Sequence, residues 1–161
     1  TVVLPFADRR TDQEAELGVV IGRRGRHVPA AGALDHVLGY TCLLDISVRG
    51  DGDRSVRKSF DTFTPIGPFL ATPETVGDPG SLRLRCWVGD ELRQDASTSA
   101  LLRSVPELIA EISAAMTLEP GDVIATGTPA GVGPLAPGDR ITVEIERVGR
   151  LEVGVKAGYE Q

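Results

Sequence analysis

The sequence predicts a β-rich α+β fold, and three observations carry that expectation. Glycine (19) and proline (11) are frequent, and they cluster with Asp between short apolar runs, the punctuation of strands and turns. Those runs, Leu17–Ile21, Leu82–Val88 and Ile141–Ile145, alternate or nearly so. Amphipathic helical stretches are few, with no strand–helix–strand alternation and no internal repeat.

Taken in order, the first strand is Leu17–Ile21. A short helix is expected over Ala30–Val37, and a second apolar strand, Gly39–Leu44, runs up to Asp45. Leu82–Val88 opens a hairpin that turns back at Gly89-Asp90, with Trp87 as a core or hairpin aromatic. A longer helix over Leu101–Met116 carries Leu101, Leu102, Val105, Leu108, Ile109, Ile112 and Met116 at helical period, with Thr98 or Ser99 as its cap. Glu107 and Glu111, four apart on that helix, are expected to face solvent. Asp122 and Asp139 read as turn residues.

The 161 residues suit one domain with a sizeable core, here the span 1–161. Hydrophobic residues make up 41% and charged ones 25%, near the values for soluble globular proteins. No apolar run approaches the roughly 18 residues of a membrane helix, and no basic-then-apolar leader opens the chain. The expectation is a soluble, cytoplasmic protein without a membrane partner. Net charge is −6 and the arginines are scattered, which argues against nucleic acid. Cys42 and Cys86 show no ligand spacing and read as buried, reduced thiols. The chain begins Thr-Val-Val-Leu-Pro without an initiator Met, so an upstream part is expected to be missing through processing, truncation or disorder.

Four segments carry chemistry. In Asp12-Gln13-Glu14-Ala15-Glu16-Leu17, residues two apart on a strand point the same way, about 6.6 Å apart along it. Glu14 and Glu16 then repel, and a bridging divalent cation is one remedy, a solvated strand edge the alternative. Asp45 ends an apolar strand, and a buried Asp must be paired or metal-bound, with Arg49 as a salt-bridge candidate. Hard oxygen ligands without a Cys or His pattern favour Mg²⁺, Mn²⁺ or Ca²⁺ over Zn²⁺. Lys58 precedes a proline-bounded segment and can balance the carboxylates or stabilise an enolate. Asp61 beside it either orients Lys58 or is a turn residue. In Pro120–Gly133, small residues leave backbone N–H groups and two hydroxyls free for an anion, or form an ordinary tight turn. No P-loop spacing is present, which excludes the usual nucleotide-binding signature.

These segments, in this order, resemble the fumarylacetoacetate hydrolase family from about Asp12 to Val155. The matching strings are D-x-E-x-E-L-x-x-V-I-G, G-Y-T-x-x-x-D-x-S-x-R, K-S-F-D-T-F-x-P-x-G-P and P-G-D-V-I-x-T-G-T-P-x-G-V-G. The resemblance implies a twisted β-roll, usually dimeric, in which Glu14, Glu16 and Asp45 ligate Mg²⁺ or Mn²⁺. It places Arg49, Lys58 and Thr62 near the metal, and Thr126, Gly127 and Thr128 around the carboxylate of a 2-oxo acid substrate. Family members hydrolyse C–C bonds of acylpyruvates, decarboxylate oxaloacetate-like acids, or isomerise 2-hydroxydienoates. Their hydrolases typically draw a His-Glu pair from an upstream lid, which is absent from this sequence; His27 and His36 match no family base. Leu44 stands where Asn is common, and Gly50 where Asp is. Three readings follow: a metal-dependent C–C hydrolase, a decarboxylase or isomerase at the same site, and a non-catalytic metal-binding module.

Overall fold

In the computed structural model, which describes residues 1–158, the chain forms strands β1 (Val2–Leu4), β2 (Thr11–Gln13), β3 (Ala15–Ile21), β4 (Val37–Leu44), β5 (Ser47–Val48) and β6 (Ile66–Ala71) in its first half. Strands β7 (Arg83–Val88), β8 (Glu91–Ser97), β9 (Val123–Ala125), β10 (Gly133–Pro134), β11 (Arg140–Ile145) and β12 (Gly149–Ala157) follow. Helices α1 (Arg54–Lys58), α2 (Pro73–Val76) and α3 (Val105–Ala115) interrupt them. Three sheets result, in strand orders β6-β4-β3-β9, β1-β12-β11-β7-β8 and β10-β2-β5. Pairing is antiparallel apart from β1 beside β12. The β-rich expectation holds.

The core follows from two-residue alternation. Ala15, Leu17, Val19 and Ile21 of β3 point into it, as do Tyr40, Cys42 and Leu44 of β4 and Ile141, Val143 and Ile145 of β11. Burying one such aliphatic side chain stabilises the fold by ~1.5–3 kcal/mol. The other face of β3 carries Glu16 and Gly18. A Cβ on Gly18 would lie 2.9 Å from the Thr41 methyl, so β3 and β4 approach too closely there for a side chain. β4 packs against β11 and β12, which joins the two larger sheets. Cys42 and Cys86 are free and buried, and burial pushes their thiols up to about 11 and about 12. Trp87 stands half-buried on the β7–β8 hairpin, with the Arg85 guanidinium carbon 5.2 Å from its ring centroid.

The helix expected over Leu101–Met116 starts four residues later, and neither Thr98 nor Ser99 caps it. Ser104 is the cap: its hydroxyl accepts from the Glu107 N–H while the Glu107 carboxylate accepts from the Ser104 N–H. Pro106 sits in the first turn, where its missing N–H costs nothing. Leu101 and Leu102 keep the helical period yet lie outside the helix, and Leu102 is 99% exposed. Thr98 instead ties the β7 entrance, its hydroxyl donating to Pro79 O and accepting from Leu82 N. The helix expected over Ala30–Val37 is a four-residue 3-10 turn, Ala33–His36, preceded by Gly32 at φ 105°. Glu107 is thus a capping residue, while Glu111 pairs with Arg103 at the surface. Asp122 and Asp139 close turns through the N–H groups of Glu119 and Ala136, as expected.

Ser104→Ala should lower the unfolding free energy by ~1 kcal/mol, whereas Ser99→Ala should change it by less than ~0.5 kcal/mol. Urea unfolding of both variants checks the position of the cap.

Candidate metal and substrate site

The β3–β4 pairing builds the site. Ala15 lies opposite Leu44, and one step further the Asp45 N–H donates to the Glu14 carbonyl at 2.8 Å. Asp45 therefore faces Glu14 across the strands, with Glu16 two residues along on the same side. Ligand oxygens of the three carboxylates lie within 4.8 Å of one another. Glu14 and Glu16 are buried and Asp45 is half-buried. Glu14 occupies the break between β2 and β3 rather than a continuous strand.

The carboxylates differ in their partners. Lys58 Nζ donates to Glu14 Oε2 at 2.8 Å and to Asp45 Oδ2. Burial lowers the pKa of this ammonium, but its bonds to Asp45 and Glu14 outweigh burial and raise it on balance. Lys58 is a fixed cation here. Glu16 has no such partner. Burial pushes its carboxyl up to about 7, aided by Asp45 and Glu14 and opposed by the Gly127 N–H and Lys58. That N–H donates to Glu16 Oε2 at 2.7 Å.

Arg49 does not pair with Asp45. Strand β5 runs beside β2, with Ser47 opposite Asp12, so Arg49 emerges next to Asp12. Its Nε donates to Asp12 Oδ2 at 2.8 Å and its Nη2 to Glu14 Oε1 at 2.5 Å. Arg10 grips Asp12 from the other side, at 2.7 and 3.0 Å. Burial raises the Asp12 pKa, but the bonds to Arg10 and Arg49 win and hold it below the usual range. This Arg10–Asp12–Arg49 brace was not assigned from sequence. Its signal was Asp12 in phase with Glu14 and Glu16, flanked by arginine.

The hydroxyls of the Thr126-Gly127-Thr128 turn are not free. Thr126 donates to Leu17 O and Thr128 to Ala15 O, each at 2.9 Å, so the turn straddles the strand that carries Glu16. Gln94, fully buried, locks this arrangement: Nε2 donates to Thr128 Oγ1 at 2.8 Å and Pro129 O at 3.0 Å, while Oε1 accepts from Ala15 N. Gln13 does the same for the loop beyond, accepting from Gly133 N and donating to Gly131 O. A Cβ on Gly131 would fall 1.9 Å from the Arg93 carbonyl, so only glycine fits. Neither glutamine carried a sequence signal, because one amide in an alternating strand looks solvent-facing.

The segment after Lys58 is held by aromatic packing. Phe60 stacks edge-on to Phe6 (5.5 Å between centroids) and tilts against buried Phe63 (5.2 Å). Thr62, at φ 72°, accepts from Val3 N at 2.8 Å, which ties this loop to β1, and it makes no hydrogen bond to the three carboxylates. Asp61 is exposed and unbonded to Lys58 among the described residues. His36 contacts the Arg23 carbonyl and His27 is exposed beside Arg26, so neither joins the site.

Two cavities adjoin these residues. One of about 280 Å³ is polar and lined by Glu14, Ser47, Arg49, Arg54, Arg57 and Lys58. The other, about 530 Å³, is apolar, bounded by Leu17, Leu84, Leu101, Leu108 and the 126–130 turn, and it contains none of the three carboxylates. The smaller cleft contains one of them, Glu14, beside four cations, and the Thr126-Gly127-Thr128 turn lines the larger one.

Residues 1–156 match the family model of the fumarylacetoacetate (FAA) hydrolase C-terminal domain. The chain belongs to this family. Among FAA hydrolase relatives, a maleylpyruvate hydrolase of Aquipseudomonas alcaligenes is 46% identical over 156 residues, covering 97% of this chain and 54% of the relative. A 4-hydroxyphenylacetate degradation bifunctional isomerase/decarboxylase of Salmonella dublin is 48% identical over 143 residues, covering 86% of this chain and 33% of that one. The crystal structure of maleylpyruvate hydrolase from Sphingobium sp. SYK-6 with manganese(II) and pyruvate superposes with a TM-score of 0.94 at 48% identity, over 98% of this chain and 59% of that one. The chain thus spans about half the length of the maleylpyruvate hydrolases it matches.

The raised Glu16 pKa gives a pH signature in metal-free protein. The folded state binds the Glu16 proton more tightly than the unfolded state, so stability should fall as pH rises from about 4.5 to about 7. The loss should amount to roughly 3 kcal/mol, and Glu16→Gln should remove it. Chemical denaturation in EDTA across that range reads both slopes.

Proposed function

We propose that this chain forms the metal-binding catalytic part of a divalent-metal-dependent enzyme acting on a 2-oxo acid, with C–C hydrolysis as the reaction. The observation that carries the reading is the convergence of Glu14, Glu16 and Asp45 within 4.8 Å beside the fixed cation Lys58. The donor set fits Mg²⁺ or Mn²⁺: three carboxylates, no sulfur or imidazole. Ligand oxygens of Glu14, Glu16 and Asp45 already lie within 4.8 Å of one another, so a modest closing of the cluster would let all three hold one such ion. Two of the three acids are buried, where uncompensated like charges are costly, and Glu16 retains an oxygen with no hydrogen bond among the described residues. The manganese and pyruvate in the Sphingobium relative support the same assignment.

When bound, the cation supplies Lewis-acid polarisation of a keto oxygen. The chain's own residues do the rest. Lys58, protonated and held by Glu14 and Asp45, keeps a positive charge beside the position where enolate charge develops. Arg49 and Arg10 fix Asp12 and, through it, the start of β3. The Gly127 N–H orients Glu16, and Thr126 and Thr128 pin the backbone on either side of it. Both threonine hydroxyl protons are committed to β3, which fixes the turn proposed to face the substrate carboxylate. Thr62 is proposed to hold the Lys58 loop against β1.

A second reading, isomerisation or decarboxylation at the same site, is favoured by the names of the Salmonella relative and of a 2-hydroxyhepta-2,4-diene-1,7-dioate isomerase of Mycobacterium marinum (41% identical, TM-score 0.92). We further propose a homodimer in the cytoplasm. The free, buried thiols suit a reducing compartment, and no helix among the described residues is long and apolar enough to cross a membrane.

The full chain should turn over acetylpyruvate or fumarylpyruvate with Mg²⁺ or Mn²⁺, lose turnover in EDTA and regain it on metal addition. Glu14→Gln and Asp45→Asn should each reduce activity by at least ~10²-fold with the fold intact by circular dichroism. Product analysis separates hydrolysis from isomerisation, and turnover unchanged in both variants would sink the metal assignment.

A further inference from the structure

The polar cleft is more cationic than its carboxylates require. Four cations line it against one acid, Glu14. Two of them are committed: Arg49 to Asp12 and Glu14, and Lys58 to Glu14 and Asp45. Arg54 and Arg57 are not. Among the described residues, neither has a carboxylate within ion-pair distance. Arg57 donates from Nη1 to the Gly50 carbonyl at 3.0 Å, while its Nε is buried without a partner. A buried donor left unpaired costs free energy, and a charged one more so. The acid beside them, Asp53, is turned to the backbone, where it caps α1 by accepting from Ser55 N and Val56 N.

Placement matters as much as charge. Arg54, Arg57 and Lys58 are spaced i, i+3 and i+4, so they share one face of α1. Arg54 stands one turn from Lys58, about 6 Å along the axis. Both guanidiniums line the same cleft as Lys58 and Glu14, so an elongated molecule entering beside Glu14 shares that space with them. Guanidinium groups present paired donors that match a carboxylate, and such bonds are both strong and directional.

We propose that Arg54 and Arg57 form a distal subsite that takes the second carboxylate of a dianionic 2-oxo acid. The subsite selects dicarboxylic substrates over those with an uncharged tail. This inference rests on the metal and 2-oxo acid reading above and goes beyond it by naming the residues that recognise the second carboxylate.

The test is calorimetric titration of the Mn²⁺-loaded full chain with three inert acids: oxalate, 2-oxoadipate and 2-oxohexanoate. Oxalate reports the metal end alone. The two oxo acids match in chain length and differ in the distal carboxylate. 2-Oxoadipate should bind at least about tenfold more tightly than 2-oxohexanoate. Arg54→Gln/Arg57→Gln should erase that preference while leaving oxalate affinity within about twofold. Arg54→Glu, a change at an exposed helix position, should reverse it. Equal affinity of the two oxo acids for the unmodified chain overturns the inference without any variant, as does a preference that survives in the double variant. If oxalate itself fails to bind, the metal reading falls, a result distinct from failure of the distal subsite.

Discussion

Three acidic side chains are brought together where water is scarce, and most of the surrounding structure answers that repulsion. The backbone bond from Asp45 to Glu14 sets them face to face. Everything nearby then limits the cost: Lys58 between two of them, a backbone N–H on the third, and a two-arginine clamp on Asp12. Without that compensation the cluster would have to take up protons or a cation. Glu16, alone without a cationic partner, shows where that pressure is greatest.

The compensating groups come from distant parts of the chain, so the site also works as a fold organiser. Gln94 on β8 and Gln13 on β2 bind the glycine-rich loop after β9 on both sides. The 126–128 turn is thereby fastened to β3 at three points. A buried amide with both ends used specifies one register among several that hydrophobic packing alone would tolerate. The larger sheets share an apolar core, whereas the small β10-β2-β5 sheet is defined by such polar contacts.

How much was readable before the structure depended on distance along the chain. Glu14, Glu16 and Asp45 declared themselves through local spacing and an acid ending an apolar run, and the structure brings all three together. The strand runs around Leu17, Leu84 and Ile141 were equally local. Arg49 was assigned the wrong partner because its neighbour is set by β5 pairing with β2, a long-range register that no short string encodes. The hydroxyls of Thr126 and Thr128 looked free for the same reason, since their acceptors lie more than a hundred positions upstream. For α3, apolar periodicity ran past the true boundary at Leu101 and Leu102. The decisive signal, Ser104 with Glu107 three residues on and Pro106 between them, was present and was outweighed by period alone.

The two buried thiols add a different kind of information. With their pKa values pushed to about 11 and about 12, Cys42 and Cys86 hold almost no thiolate at neutral pH and are shielded from reagents. They lie on separate sheets, β4 and β7, that meet through the common core. Alkylation of either one thus reports opening of its own sheet. Comparing the two labelling rates tells whether the molecule comes apart as one cooperative unit or sheds one layer first.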